Sequence, residues 1–250
     1  MLERKIESLI QKNINMKKLI KAVAALMLMT TIVCAIGCKK TDKPITVSGS
    51  YGGHDYVDLG LPSGTLWATC NVGSDTPEGY GDYFAWGETQ PKTYFDWNTY
   101  KFSDVDSENN IRLTKYNTNS NFGIVDSLST LEIKDDAATS QWGSGWCLPT
   151  LEQWEELRNN TTGTWTVRNG SSGFLFTANN GRCLFLPATT IASPYSEEVS
   201  HLSGSYWSNL LYSNSPHFAW AFCFHIDGIY DIYRTDRYHG MAVRPVCSAK

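Results

Sequence analysis

The signatures of most enzyme classes are missing from this 250-residue chain. It has no Gly-x-Ser-x-Gly nucleophile elbow, no His-Glu-x-x-His pair and no glycine-rich loop to cradle a phosphate. Charged residues make up only 18% of it, and no basic stripe survives beyond the N-terminal segment. That argues against a nucleic-acid partner. The five cysteines after Cys38, at positions 70, 147, 183, 223 and 247, include no Cys-x-x-Cys pair, so zinc is not expected. Cys147, Cys183 and Cys223 sit in apolar segments and read as buried free thiols. The five histidines are scattered, and His225 alternates with core positions, which reads as a satisfied strand residue rather than a ligand or base. Glu152, Glu155 and Glu156 crowd one helix, where a solvated face accounts for them. No catalytic residue, metal ligand or cofactor is assigned.

An extended apolar run occupies the N-terminus. Lys17 and Lys18 precede Leu19–Ile36, interrupted by Lys21, and Ala35-Ile36-Gly37 leads into Cys38. A charged region, an apolar region and small residues at a processing point make a signal peptide. It resembles a bacterial lipoprotein signal, which implies that Cys38 is lipidated and that residues 1–37 are removed. The alternative is a membrane-spanning anchor. About 18 residues barely cross a bilayer, and the chain after Cys38 has no stop-transfer cluster larger than Lys39-Lys40, so cleavage is favoured. Removing 37 of 250 residues leaves 213, enough for one large domain. Those 37 carry six basic and two acidic residues, so the net charge of −4 becomes −8 without them. A surface this acidic is repelled by anionic headgroups, and membrane attachment would rest on the lipid chains. The expected location is the outer membrane, on the cell surface or the periplasmic face.

Residues 38–53 read as a polar, glycine-tipped tether, and a domain is expected over 54–247. The stretch Tyr56–Gly73 suggests two short strands around a Pro62-Ser63-Gly64 turn. Thr89–Lys134 is a long polar loop, either functional or poorly ordered, with Trp97 and Tyr100 as anchors. Asp104, Asp106 and Glu108 within it are spaced as calcium ligands might be, but the glycine and terminal glutamate of an EF-hand loop are missing. A solvated acidic loop is the better reading. Asp135-Asp136 opens a first short helix that reaches Trp142. Thr150 caps a second, with Gln153 completing a capping box and Trp154 and Leu157 sharing a face. Asn179-Asn180-Gly181 predicts a hairpin turn between Phe174–Ala178 and Arg182–Leu186. Phe218, Trp220, Phe222, Phe224 and Ile226 alternate onto one strand face. Asp227-Gly228 turns that strand back, and Gly240–Val246 forms a terminal strand expected to pair with the His54–Gly73 region. The expected core is Trp67, Trp86, Trp146, Trp154, Trp207, Trp220, Phe222 and Val243.

The block Trp146-Cys147-Leu148-Pro149-Thr150-Leu151-Glu152-Gln153-Trp154-Glu155-Glu156-Leu157 resembles the second helix of C-type-lectin-like domains. With His54–Gly73, Gly79–Glu88 and Gly240–Val246, it is similar to the branch shared by formylglycine-generating enzymes and the Fibrobacter succinogenes major paralogous domain (FISUMP). The likeness runs from about His54 to Cys247. It implies an α+β, C-type-lectin-like fold, with two short helices packed on a mixed or antiparallel β-sheet and long loops. It also implies the work of presenting a variable binding surface. Formylglycine-generating enzymes use a late cysteine pair whose motif Cys223 and Cys247 do not reproduce, so only the fold carries over. The calcium-binding loop tripeptides of sugar-binding lectins are absent, and Tyr206-Trp207-Ser208-Asn209 lacks a paired carboxylate. A metal-free aromatic platform for sugars stays open. Because terminal strands adjoin in such folds, the resemblance points to Cys70–Cys247 if a disulfide forms.

Between Ser208 and Gly240 there is no Met, Lys, Gln or Glu, and Trp220 is the one Trp. Tyr, Asn, Ser, His and Asp dominate instead, the mixture that antibody loops use. The expected ligand surface is therefore Tyr212, Asn214, His217, Tyr230, Asp231, Tyr233, Arg234, Asp236 and Tyr238. These side chains should be mostly exposed and should converge. The same composition is nearly what randomised Asn codons yield in retroelement-variable proteins, whereas ordinary β-hairpin chemistry is the plainer explanation. The expected partner is a glycan or a protein. A structural subunit of a surface assembly such as a fimbria is the alternative, and an enzyme is the more remote one.

Overall fold

The computed structural model describes residues 45–194, 201–228 and 230–248, the side chain of Tyr230 excepted. The expected signal segment, Cys38 and residues 39–44 of the expected tether lie outside the described residues. In chain order come β1 (Gly49–Tyr51), β2 (His54–Asp58), β3 (Thr65–Ala68), β4 (Tyr83–Phe84), β5 (Ser103–Val105) and β6 (Ile111–Leu113). Two short helices follow, α1 (Ala137–Trp142) and α2 (Leu151–Asn160). The remainder is β7 (Thr161–Arg168), β8 (Ser171–Ala178), β9 (Cys183–Pro187), β10 (Ser203–Leu211), β11 (Phe218–His225), β12 (Tyr230–Asp236), β13 (Met241–Ala242) and β14 (Val246–Ser248). This is an α+β arrangement, dominated by sheet.

Two sheets carry the frame. The first has the order β1-β2-β3-β14 and the second β12-β11-β10-β13-β4. As the sequence suggested, the chain ends meet: Val246 lies opposite Trp67, and the Val72 N–H donates to the Val243 carbonyl at 3.0 Å. The second sheet is covered on both faces. Ala219, Ala221 and Trp207 turn into one core with Trp86, Tyr100 and Tyr116, while Phe222, Phe224 and Tyr206 turn into another with Trp67 and Phe176. Burial on both faces explains why β11 is apolar nearly throughout.

Helix α2 ties the two sheets together. Its capping box is formed in full, with Thr150 Oγ1 accepting from the Gln153 N–H at 3.2 Å and Gln153 Oε1 accepting from the Thr150 N–H at 2.9 Å. Fully buried Trp154 lies parallel to Phe222 at 4.7 Å and tilts against Trp67 at 4.7 Å. Glu156 is not merely solvated, because it accepts from the N–H and hydroxyl of Ser63 and so holds the Pro62-Ser63-Gly64 turn. Helix α1 begins where expected, capped by Asp136.

Several expectations are corrected. Paired structure begins at Gly49, ahead of His54, since β1 folds back on β2 through Gly52 and Gly53, both at positive φ. Trp220 is only half-buried, packed on Tyr212 at 5.0 Å outside both cores, and Ile226 is exposed because the strand has ended. His225 is a strand residue as read, the last of β11, exposed and facing Asp227 at 3.1 Å. Cys147 is exposed rather than buried. Cys70 and Cys247 are separate free thiols. Cys247 lies opposite Leu66, and Cys70 sits four residues further along. The two thiols are thus not directly opposed across the β3–β14 pair. The Asn179–Gly181 turn forms, but with three residues closed by an Ala178–Arg182 pair and only Gly181 at positive φ.

Candidate binding site

The Thr89–Lys134 segment is not an open loop. Phe95, Tyr100, Phe102, Leu113 and Tyr116 are buried, and β5 and β6 form a hairpin. Asp106 closes that hairpin by accepting from the N–H groups of Glu108 and Asn110 and from the Asn110 amide, each at 2.9 Å. Its carboxylate is thereby occupied with the turn. Among the described residues, no group of His, Cys, Asp or Glu is placed to hold a metal.

A buried cation fastens this segment to the end of the chain. Arg237 has no exposed surface. Its guanidinium donates to the Tyr100 hydroxyl and the Tyr116, Pro216 and Lys115 carbonyls at 2.9–3.0 Å. The same group lies 5.2 Å from the Trp86 ring and 5.1 Å from that of Tyr100. A second fastening is ionic. Asp135 accepts from Lys101, Lys115 and the Tyr116 hydroxyl, and Lys115 also reaches Glu132. Tyr116 adopts φ 55°, unusual for a bulky residue, with its own N–H and that of Asn117 taken up by the Asp126 carboxylate.

The nine residues expected to form a ligand surface do not converge. Directly opposed residues share a sheet face. Arg234 and Asp236, opposite Trp220 and Phe218, therefore lie on one face of β12, while Asp231 and Tyr233, opposite Cys223 and Ala221, lie on the other. Tyr230 lies opposite Phe224, and its side chain is outside the description. Arg234 stands 4.9 Å over the half-buried Tyr212 ring, Asp231 accepts from Arg158 at 3.2 Å, and Asn214 is exposed in the β10–β11 connection. Asp236 is half-buried, which raises its carboxyl above the ordinary range.

His217 and Tyr238 go elsewhere. Tyr238 is buried rather than exposed, 5.0 Å from Trp97, because β12 has ended and the chain turns inward at Arg237. His217 is wedged between Trp97 at 5.2 Å and Phe122 at 4.6 Å. Burial and the nearby Arg237 charge hold it below its ordinary pKa, so the ring is neutral at pH 7. These two residues back the walls of two adjoining hollows on either side of the β5–β6 hairpin. One, of about 240 Å³, is lined by Tyr94, Trp97, Asn98 and Tyr238, with Asp96 beside them. The other, of about 640 Å³, is lined by Asp104, Asn110, Arg112, Asn121 and Phe122. Val105 and Ile111 contribute to the lining of both, so the two make one grooved surface around the hairpin, with Asp104 and Arg112 on the opposite strand face from Val105 and Ile111.

Tyr94 is 56% exposed at one end of this groove. Partial burial opposes ionisation of Asp96, but hydrogen bonds from Thr99 and Asn98 outweigh it and keep the carboxyl below the ordinary range. Asp106 is likewise lowered, by its bonds from Asn110. Sequence reasoning singled out Trp97, Asp104 and Asp106 but not Tyr94, Asn98, Arg112, Asn121 or Phe122. The Tyr-Phe-Asp-Trp-Asn run at 94–98 carries the same compositional cue that drew attention to the last third. Comparison with protein-family models, with curated proteins and with solved structures finds no match.

Proposed function

We propose that this chain is a lipid-anchored, C-type-lectin-like binding module of the cell envelope, in a bacterium with an outer membrane. Its ligand face is the groove astride the β5–β6 hairpin rather than the β11–β12 hairpin. The observation that carries this reading is the groove itself, where rings and amide groups gather beside a rigidly backed wall. Ligand sites typically combine apolar walls with a few placed polar groups. The C-type-lectin-like assignment draws support from the two short helices and from the pairing of β3 with β14.

The test uses the full-length protein in detergent, mixed with polysaccharide extracted from the envelope of the producing cell. Hydrogen exchange should slow across residues 94–123 when the polysaccharide is added. Protection confined to residues 212–236, or none at all, would overturn the assignment.

A second reading, a subunit of a surface assembly, is favoured by one feature. Among the described residues, β12 is the outer edge of its sheet and carries Tyr233 at 57% exposure. An open edge is a template for another strand. Sedimentation that shifts with protein concentration would favour it.

A further inference from the structure

We infer that Cys70 and His54 form a reactive thiol–imidazole pair that takes up small aliphatic disulfides, cationic ones in preference to anionic ones. The pair lies in the β1-β2-β3-β14 sheet and does not depend on the groove.

Strand register brings the two together. β2 and β3 run antiparallel with Tyr56 opposite Ala68. The ladder continues one step past the end of β3, where the Thr69 N–H donates to the Asp55 carbonyl at 3.0 Å. The same register sets His54 opposite Cys70, and opposed residues share a face. Both line one hollow of about 170 Å³, with Asp55, Ser74, Asp75 and Trp142 around them. Trp142 stacks on the imidazole at 3.7 Å, within 5° of parallel, and Trp146 meets it edge-on at 6.3 Å, so the ring is held in place. Among the described residues no hydrogen bond occupies its nitrogens. Burial outweighs the pull of Asp55 and keeps His54 below its ordinary pKa, so at pH 7 it is neutral and can accept a proton.

Negative charge on the Cys70 sulfur has a partner waiting. Fully buried Arg244 donates to the carbonyls of Ala68 and Thr69 at 3.0 and 2.6 Å and to Asn71 Oδ1 at 2.8 Å, gripping the chain on both sides of Cys70. Burial opposes its charge, and the groups that offset this are Tyr206 and Cys70 rather than a carboxylate. Tyr206, pushed up to about 12 by burial, stays neutral at pH 7, which leaves a thiolate at Cys70 as the counter-ion. The Thr69 hydroxyl, 3.6 Å from the sulfur, can turn its proton toward it.

The reaction needs only the disulfide. His54 accepts the thiol proton, and the thiolate attacks one sulfur of the disulfide. A new S–S bond forms as the old one breaks, and the departing thiolate takes the proton from the imidazolium. Cys70 ends as a mixed disulfide, with one small thiol released. Asp55 and Asp75 are exposed at the hollow while Arg244 is closed off from solvent, so an ammonium-bearing reagent is drawn in and a carboxylate-bearing one repelled.

The experiment follows reduced full-length protein in detergent as it reacts with cystamine or with anionic dithiodiglycolate. N-acetylcysteine is the reference thiol, and peptide mass mapping locates the product. Accessibility alone would favour Cys147, which is exposed where Cys70 is half-buried. At pH 7 Cys70 should nevertheless react first, and tenfold or more faster than N-acetylcysteine. Cystamine should outpace dithiodiglycolate by a ratio at least tenfold larger than the reference thiol shows. His54→Ala should slow Cys70 tenfold or more at pH 7, added imidazole should return part of the rate, and the deficit should close near about pH 9, where thiols ionise unaided. An unchanged melting temperature shows that this variant is folded; should it melt early, the parent's rate against N-acetylcysteine still decides. First reaction at Cys147, a Cys70 rate no faster than the reference, or a folded His54→Ala that keeps the parent rate would each overturn the pair. Equal discrimination by Cys70 and the reference would overturn the preference for cationic reagents.

Discussion

Two regions of this molecule share a Tyr-, Asn- and Asp-rich composition, and only one of them gathers those side chains. Along β11 and β12 successive residues point to opposite faces, so Tyr233 and Arg234 part company although they are neighbours in the chain. Between residues 94 and 123 the backbone is irregular and packs over buried rings, which lets polar and aromatic groups bend toward one hollow. Composition identifies surfaces rich in recognition chemistry. Convergence depends on the backbone beneath them.

The largest test of that contrast is Arg237→Ala. It would orphan the carbonyls of Lys115, Tyr116 and Pro216 and the Tyr100 hydroxyl at once. A loss of about 3–5 kcal/mol is expected. Hydrogen exchange should speed up across 94–123 well before it does so in β11, and uniform acceleration would contradict the idea that this residue serves the groove.

Acid should act on the two regions with opposite sign. Burial pushes Asp135 upward, but bonds from Lys115, Lys101 and Tyr116 outweigh it and leave its carboxyl lowered in the folded state. Its stabilisation is present above the unfolded value, near 3.8, and is lost as pH falls through the lower folded value. Asp236 is raised by burial, so its ionised form disfavours folding, and stability is gained as pH falls through that raised value. Melting curves from pH 7 to pH 3 should show Asp236→Asn more stable than the parent at pH 7, with the advantage fading toward pH 4. Asp135→Asn should instead be less stable at pH 7, with that deficit shrinking at the acid end. The reverse order would show that the two environments are wrongly assigned.

The smallest effect belongs to Tyr233→Ala. An exposed side chain away from both cores should change stability by no more than about 0.5 kcal/mol. Binding of the envelope polysaccharide should also stay at the parent level. A tenfold loss of affinity would return the ligand site to the β11–β12 hairpin.

Local chemistry made much of the frame legible. Thr150 with Gln153, Asp136 before Ala137, and the apolar face of Trp154 and Leu157 each specify a feature through residues a few positions apart. β1 escaped notice because its strand character comes from the Gly52-Gly53 turn and from Tyr51 packing on Trp146 at 6.2 Å, inside a stretch that reads as polar linker. β7 escaped although Asn169-Gly170, with φ of 46° and 88°, is a tight two-residue turn. The groove was illegible for a different reason. Its walls join residues 94–111 to Tyr238, and nothing local to Thr235-Asp236-Arg237 shows that this arginine will be swallowed by a distant loop.

Arg237 also sets a timetable. Its bonds to Lys115, Tyr116 and Tyr100 close loops of 121 to 137 residues. Contacts so far apart in sequence form late, because their loop entropy must be met before they are rewarded. A ribosome that has released only the first two hundred residues has released the whole 94–123 segment without its fastening. That segment is thus tied down only after nearly the entire chain has emerged.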